Sequence, residues 1–170
     1  MRVKARQLPD VYVGIGSNIE PQVHLKLAVE QLRQHFGELR CSSVYRSPAH
    51  GFKGEDFLNM VVGFAAAGDA DLVEQTLSSI EYSGGRARQA ERYVSRTLDL
   101  DLLLYGACVD PRRRLPRDDV LRFPFVLGPL AELAPGLRHP LTGIELGEAW
   151  RAMQQRPIVL QCLGPLAELH

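Results

Sequence analysis

Val11, Tyr12, Val13 and Ile15 form an apolar run interrupted by Gly14 and closed by Gly16, which is the pattern of a short buried strand. Ser17-Asn18 and then Pro21 mark a turn into a helix with proline near its first position. In that helix Leu25, Ala28, Val29, Leu32 and Phe36 recur at three- and four-residue intervals, laying one apolar stripe that Gly37 ends. Residues 39–46 and 57–66 are predicted strands, separated by the Pro- and Gly-containing loop 47–56. Asp69 or Asp71 caps a second helix, which turns Leu72, Val73, Thr76, Leu77 and Ile80 inward and stops at Gly84-Gly85. A strand over 97–105 completes the order β-α-β-β-α-β. This is the α+β, ferredoxin-like arrangement, a mainly antiparallel sheet with both helices on one face. An Arg-rich loop over 111–124 follows, then a short helix near 127–133 and another near 145–153. The heptapeptide LGPLAEL occurs at 127–133 and again at 163–169. Two copies do not make a solenoid.

A length of 170 residues predicts a single domain, long enough to bury its own core. Lys+Arg 20 against Asp+Glu 20 gives zero formal charge, so no global field recommends nucleic acid or an anionic membrane as a partner. Neither a membrane span nor a secretory signal is recognisable, and a cytoplasmic protein is expected. Cys41, Cys108 and Cys162 have no CxxC spacing, which argues against a zinc site and leaves them as ordinary buried or half-buried thiols.

Chemistry concentrates between residues 85 and 105. Along a strand Leu98, Leu100 and Leu102 turn to one side, and Asp99 and Asp101 turn together to the other. Two like charges held side by side invite a hard divalent cation such as Mg²⁺; the alternative is the solvated outer face of an edge strand. Just upstream, Arg86, Arg88, Arg92 and Arg96 are opposed only by Glu91. Guanidinium forks and metal-bearing carboxylates together make a clamp for a transferring phosphoryl group. Arg112, Arg113, Arg114, Arg117 and Arg122, against Asp118 and Asp119, form a second basic cluster. It either covers the same site or is simply a solvated surface. Gly14-Ile15-Gly16 lacks the third glycine of a dinucleotide fingerprint, and the chain has no GxxxxGK[ST] motif or kinase signature.

Arg86-Ala87-Arg88, followed by Arg92-Tyr93-Val94-Ser95-Arg96-Thr97-Leu98-Asp99-Leu100-Asp101-Leu102, resembles the signature of the 6-hydroxymethyl-7,8-dihydropterin pyrophosphokinase family. Residues 12–18 resemble its first strand and turn, and Tyr45-Arg46-Ser47-Pro48 and Phe57-Leu58-Asn59 its pterin-side segments. Phe125-Val126-Leu127, Pro129-Leu130 and Glu132-Leu133-Ala134-Pro135 resemble its C-terminal motif. The resemblance covers about residues 11–140, with 1–10 as an N-terminal extension and about 141–170 as a C-terminal appendage of the single domain. It implies an enzyme of folate biosynthesis that transfers pyrophosphate from ATP to 6-hydroxymethyl-7,8-dihydropterin, releasing AMP.

Carried over by position, the resemblance implies that Asp99 and Asp101 bind two Mg²⁺ ions and that Arg86 and Arg96 act with them on the transferring group. It places Ser47, Pro48, Phe57, Asn59 and Phe125 at the pterin, with Phe57 and Phe125 stacking on its faces and Asn59 bonding its amide-like edge. Read alone, those aromatics would be core residues and Asn59 a turn residue. ATP is implied to meet Glu81, Arg86, Arg88, Arg92, Tyr93, Arg96, Arg112 and Arg117. The implied partners are small molecules, with no nucleic acid and no membrane, and the protein is expected to be a monomer. The chain departs from the family pattern at Gln89, Tyr93, Ser95, Arg117 and Phe123, which bears on turnover and nucleotide grip more than on the fold. A divergent paralogue with altered substrate or weak turnover is the nearest rival. An RNA-binding module is the other, and it lacks its characteristic aromatic stretch and any net positive charge.

Overall fold

A computed structural model describes residues 7–84 and 98–170. Its strands are β1 (Asp10–Ser17), β2 (Arg40–Cys41), β3 (Val44–Ser47), β4 (Phe57–Ala65), β5 (Asp99–Tyr105) and β6 (Gln161–Gly164). Its α-helices are α1 (Pro21–Phe36), α2 (Ala70–Ser83), α3 (Asp119–Arg122), α4 (Pro124–Leu133) and α5 (Leu146–Met153). The sheet runs β5-β1-β4-β3-β6, with β2 also paired to β4, and every pairing is antiparallel. The ferredoxin-like core is therefore present, extended by one strand at its β3 edge. No helix among the described residues is long and apolar enough to cross a membrane.

Both faces of the sheet are covered, by two separate cores. One packs Val11, Val13 and Ile15 of β1 and Leu58, Met60, Val62 and Phe64 of β4 against Leu25, Ala28 and Leu32 of α1 and Val73, Leu77 and Ile80 of α2. The other sets Tyr12, Val61, Leu103 and Leu104 against Val120, Leu127, Leu130 and Leu146 of the C-terminal helices. Each fully buried leucine contributes about 1.5–3 kcal/mol. Asp69 caps α2 by accepting from the Leu72 N–H at 3.0 Å, and Gly84 closes the helix by donating to the Ile80 carbonyl.

Strand β5 feeds both cores, and a slip in its ladder with β1 turns Leu104 to the same side as Leu103. Tyr12 pairs with Leu104 but Val13 pairs with Leu102, leaving Leu103 as an extra residue. Before the slip, Leu98, Leu100 and Leu102 face α1 and α2; after it, Leu103 and Leu104 face the C-terminal helices. The Leu103 carbonyl accepts the backbone N–H of Arg117 at 3.0 Å, which fixes the Arg-rich loop against β5. From the other side Arg113 fastens the same loop to α2, pairing with Asp71 at 2.5 Å and Glu74 at 2.8 Å, and it also reaches Asp110 within the loop at 3.4 Å.

Several elements differ from the sequence pattern. The strand expected over 39–46 is broken, because Ser42 substitutes its hydroxyl for a strand carbonyl: Oγ accepts the Val61 N–H at 2.9 Å, while the Ser42 N–H donates to the Val61 carbonyl. Leu72 points to solvent rather than inward, as do Cys41 and Cys162, which were expected to be at least half-buried. The segment expected as an Arg-rich loop contains a 3₁₀ turn (Pro111–Arg113) and α3, and α4 begins at Pro124 rather than near 127. The two LGPLAEL copies fold differently. The first lies inside α4, and the second ends β6 at Gly164, whose φ of 91° suits glycine, before a 3₁₀ turn (Leu166–Glu168).

Candidate functional site

The register of the sheet builds the floor of a cleft. Gly16 lies between Asp99 on β5 and Asn59 on β4, and Asn59 pairs in turn with Tyr45 on β3. One step along, Gly14 lies between Asp101 and Val61. These residues share the face opposite α1 and α2. The two glycines leave a bare strip of backbone, with the paired carboxylates along one side and the Asn59 amide on the other. A methyl group on Gly16 would stand 3.2 Å from Asn59 Oδ1, inside the strip itself. The cleft above has a volume of about 570 Å³, within the range of small-molecule sites.

Asn59 is buried and aligned by Ser47, its Nδ2 donating to Ser47 Oγ at 2.9 Å. Both residues line the cleft, as do Pro48, Phe57 and Phe125. Phe125 at the start of α4 stacks on Phe123, centroids 5.0 Å apart and planes 14° from parallel. Phe123 in turn meets the His50 ring edge-on at 4.9 Å and lies under the Arg122 guanidinium at 5.1 Å. Phe52 meets Phe57 edge-on across 6.2 Å. Helix α4 is tied to β3 by Glu132, whose Oε1 accepts from Ser43 N and Oγ and whose Oε2 accepts from Tyr45 Oη at 2.6 Å. Burial and the Glu132 carboxylate push the Tyr45 hydroxyl well above its ordinary pKa, so it remains a donor.

Arg117 crosses the acidic side. Its Nη2 lies 3.0 Å from Asp101 Oδ1 and its Nε lies 3.0 Å from Asp119 Oδ2. Burial by itself lowers the Arg117 pKa, but Asp101, Asp119 and Asp99 outweigh it and hold the guanidinium above its ordinary value. The cation is fixed at any working pH.

Asp99, Asp101, Ser47, Pro48, Phe57, Asn59, Phe125 and Arg117, all expected from the sequence, therefore line one cleft. Arg112 and Glu81 do not line it. Arg112 stands exposed on the 3₁₀ turn, and Glu81 accepts the Leu100 backbone N–H at 2.7 Å, joining α2 to strand β5. Arg86, Arg88, Arg92, Tyr93 and Arg96 fall outside the described residues. Arg114, Asp119, Arg122, Phe123, His50 and Phe52 line the cleft without having been singled out as site residues. Arg114, Arg122 and Asp119 belong to the basic cluster read from the sequence as either covering the site or solvated surface, and the Phe123-Pro124-Phe125 spacing is the signal that could have found Phe123.

Among the described residues no three His, Cys, Asp or Glu side chains cluster as a metal cage. The donor set fits Mg²⁺ all the same, since that ion is commonly held by one or two carboxylates with the remaining oxygens coming from substrate phosphates. Asp99 and Asp101 supply such a pair.

The family model of 7,8-dihydro-6-hydroxymethylpterin-pyrophosphokinase (HPPK) matches residues 12–135. Among curated relatives, the 2-amino-4-hydroxy-6-hydroxymethyldihydropteridine pyrophosphokinase of Synechocystis sp. is 39% identical over 143 residues, 81% of this chain and 73% of that protein. The Pseudomonas aeruginosa protein of the same name is 39% identical over 140 residues, 76% of this chain and 83% of its own length. Among solved structures, wild-type HPPK-DHPS of Plasmodium falciparum superposes with a TM-score of 0.69 at 9% identity, covering 91% of this chain. This chain spans 46% of that longer one, and the likeness is one of fold.

Proposed function

This chain belongs to the 7,8-dihydro-6-hydroxymethylpterin-pyrophosphokinase family, and on that premise we propose how its cleft performs the transfer of pyrophosphate from ATP to 6-hydroxymethyl-7,8-dihydropterin, a step of folate synthesis. The observation that carries the reading is the row Asp99, Gly16, Asn59 across three neighbouring strands. It sets a flat, side-chain-free strip between a pair of carboxylates and a buried amide, so a planar heterocycle and a polyphosphate can lie end to end.

On the pterin side, Asn59 offers Oδ1 and its remaining N–H to the amide-like edge of the ring, pre-aimed by Ser47. Phe57 and Phe125 supply apolar faces for stacking. On the phosphate side, Asp99 and Asp101 hold Mg²⁺, two ions in this reading, and Arg117 and Arg114 stand within the same cleft as phosphate donors. The metal supplies charge neutralisation on the phosphate oxygens. Arg86 and Arg96 act on the transferring group, with Arg88, Arg92 and Tyr93 on the nucleotide.

The protein's contribution is positioning and electrostatics. It brings the hydroxymethyl oxygen in line with the β-phosphorus, with little covalent chemistry of its own. A monomer working in the cytoplasm, where ATP is supplied, suits this reading.

The test is AMP formation from ATP and Mg²⁺ with and without 6-hydroxymethyl-7,8-dihydropterin. Pterin-dependent AMP supports the assignment. Folded protein that binds pterin yet makes no AMP overturns it in favour of a divergent binding protein.

A further inference from the structure

Arg117 lies on Asp101 Oδ1, one of the two oxygens through which that carboxylate would hold a cation. Its guanidinium spans two carboxylates, Asp101 and Asp119, each at 3.0 Å. Its backbone is anchored two residues further along the same strand, on the Leu103 carbonyl. All three side chains are largely shielded from water, with 21%, 31% and 23% of the Arg117, Asp101 and Asp119 side chains exposed. Such shielding weakens screening of the pair. A guanidinium cannot shed its charge to make way. A free divalent ion approaching Asp101 therefore meets a fixed positive charge beside Oδ1, and among the described residues no cluster of three His, Cys, Asp or Glu side chains compensates for it.

We propose that Arg117 is a built-in counter-ion that closes Asp101 to free divalent metal and leaves it for nucleotide phosphate, so that metal and nucleotide enter the cleft together. This rests on the pyrophosphokinase reading. Phosphate provides what makes the exchange favourable: oxygens that accept the guanidinium bidentately, and a metal ion already carrying part of its coordination shell. Arg117 is thus a positioning residue for metal entry. Asp119 keeps its hold on Nε so that the head of the side chain moves without the loop being released.

Binding of Mn²⁺ to the whole protein, followed by electron paramagnetic resonance without nucleotide, tests this directly. Arg117→Met should bind Mn²⁺ at least about fivefold more tightly than wild type, the lower end of ordinary coupling between sites. Arg114→Met removes an equal charge from the same cleft and should change the affinity less than half as much on a logarithmic scale. Adding the non-hydrolysable analogue AMPPCP should tighten Mn²⁺ binding in wild type by a larger factor than in Arg117→Met, because in wild type the phosphates also draw the Arg117 guanidinium away from Asp101. Should Arg117→Met fail to fold, Arg117→Gln removes the charge but keeps a polar head for Asp119, and it should tighten Mn²⁺ binding in the same direction.

Equal Mn²⁺ affinity in wild type and a folded Arg117 variant overturns the proposal, as does an equal effect of Arg114→Met. Pterin-dependent AMP with unaltered Mn²⁺ affinity would reject this inference alone. Tighter Mn²⁺ binding in Arg117→Met with no AMP from wild type would instead reject the pyrophosphokinase reading.

Discussion

Phe123 lies against Phe125, ring centroids 5.0 Å apart and planes 14° from parallel. One face of Phe125 is therefore backed by another ring, so its remaining face is the one available for a planar substrate. Phe125→Ala should weaken pterin binding by roughly tenfold, whereas Phe123→Ala should cost about twofold to tenfold through loss of the backing stack, worth some 0.5–1.5 kcal/mol. Quenching of pterin fluorescence on binding measures both. If the two variants bind pterin as wild type does, the aromatic column belongs to the core and not to the site.

The carboxylates can be separated from the fold. Asp99→Ala and Asp101→Ala should each reduce pterin-dependent AMP formation by at least about a hundredfold, as expected when a preorganised charge is lost from a phosphoryl-transfer site. Circular dichroism should remain that of wild type. Near-normal turnover in either variant would remove that residue from the catalytic machinery.

Gly16 gives a sharper test, because its substitution adds atoms without removing a functional group. Its φ lies outside the left-handed region, so alanine is allowed by the backbone. The new methyl would nevertheless press within 3.2 Å of Asn59 Oδ1. Gly16→Ala should raise the pterin KM by about tenfold or more, comparable to losing a good hydrogen bond to substrate, while the melting temperature stays within a few degrees. A normal KM would show that substrate does not lie over this strip.

Stability should also carry an acid limb from His139. Its Nδ1 accepts the Leu141 and Thr142 N–H groups, both at 3.3 Å, and burial lowers its pKa below the ordinary 6.5. A lowered folded pKa means the unfolded chain binds the proton more readily. The contribution of the neutral ring is therefore complete above pH 6.5 and is lost as pH falls from there through the lower folded value. Denaturant unfolding of wild type and His139→Asn at pH 8 and pH 5 should show wild type losing more stability on acidification. Parallel losses would exclude His139 as the group responsible.

How much of this was legible in the chain depended on how local the cause was. The stripe Leu25, Ala28, Val29, Leu32 revealed α1 because the 3.6-residue period is its own signal, and the alternation from Leu98 to Leu102 revealed which way Asp99 and Asp101 turn. The approach of Arg117 to Asp101 was not legible. It depends on a slip in the β1–β5 ladder and on a loop anchored to Leu103, and neither leaves a periodic trace. Strand β6 was hidden for a related reason: Gln161-Cys162-Leu163-Gly164 has no alternation, and it is a strand because β3 offers it an edge. Repeated LGPLAEL makes the same point within one molecule. Leu127 and Leu130 are buried in the core between α4 and the sheet and Gly128 is buried under Trp150, whereas none of residues 163–169 is fully buried.

The extra residue at Leu103 also makes the chain sensitive to length at that point. Exchanging Leu103 for another apolar side chain disturbs packing only, but deleting it would let β5 pair regularly with β1 and move the anchor for Arg117 out of step with Asp101. Drift by substitution is open to this stretch of β5, and drift by insertion or deletion is not. The spacing between the acidic pair and the loop that faces it is thus held by a count of residues, whatever those residues become.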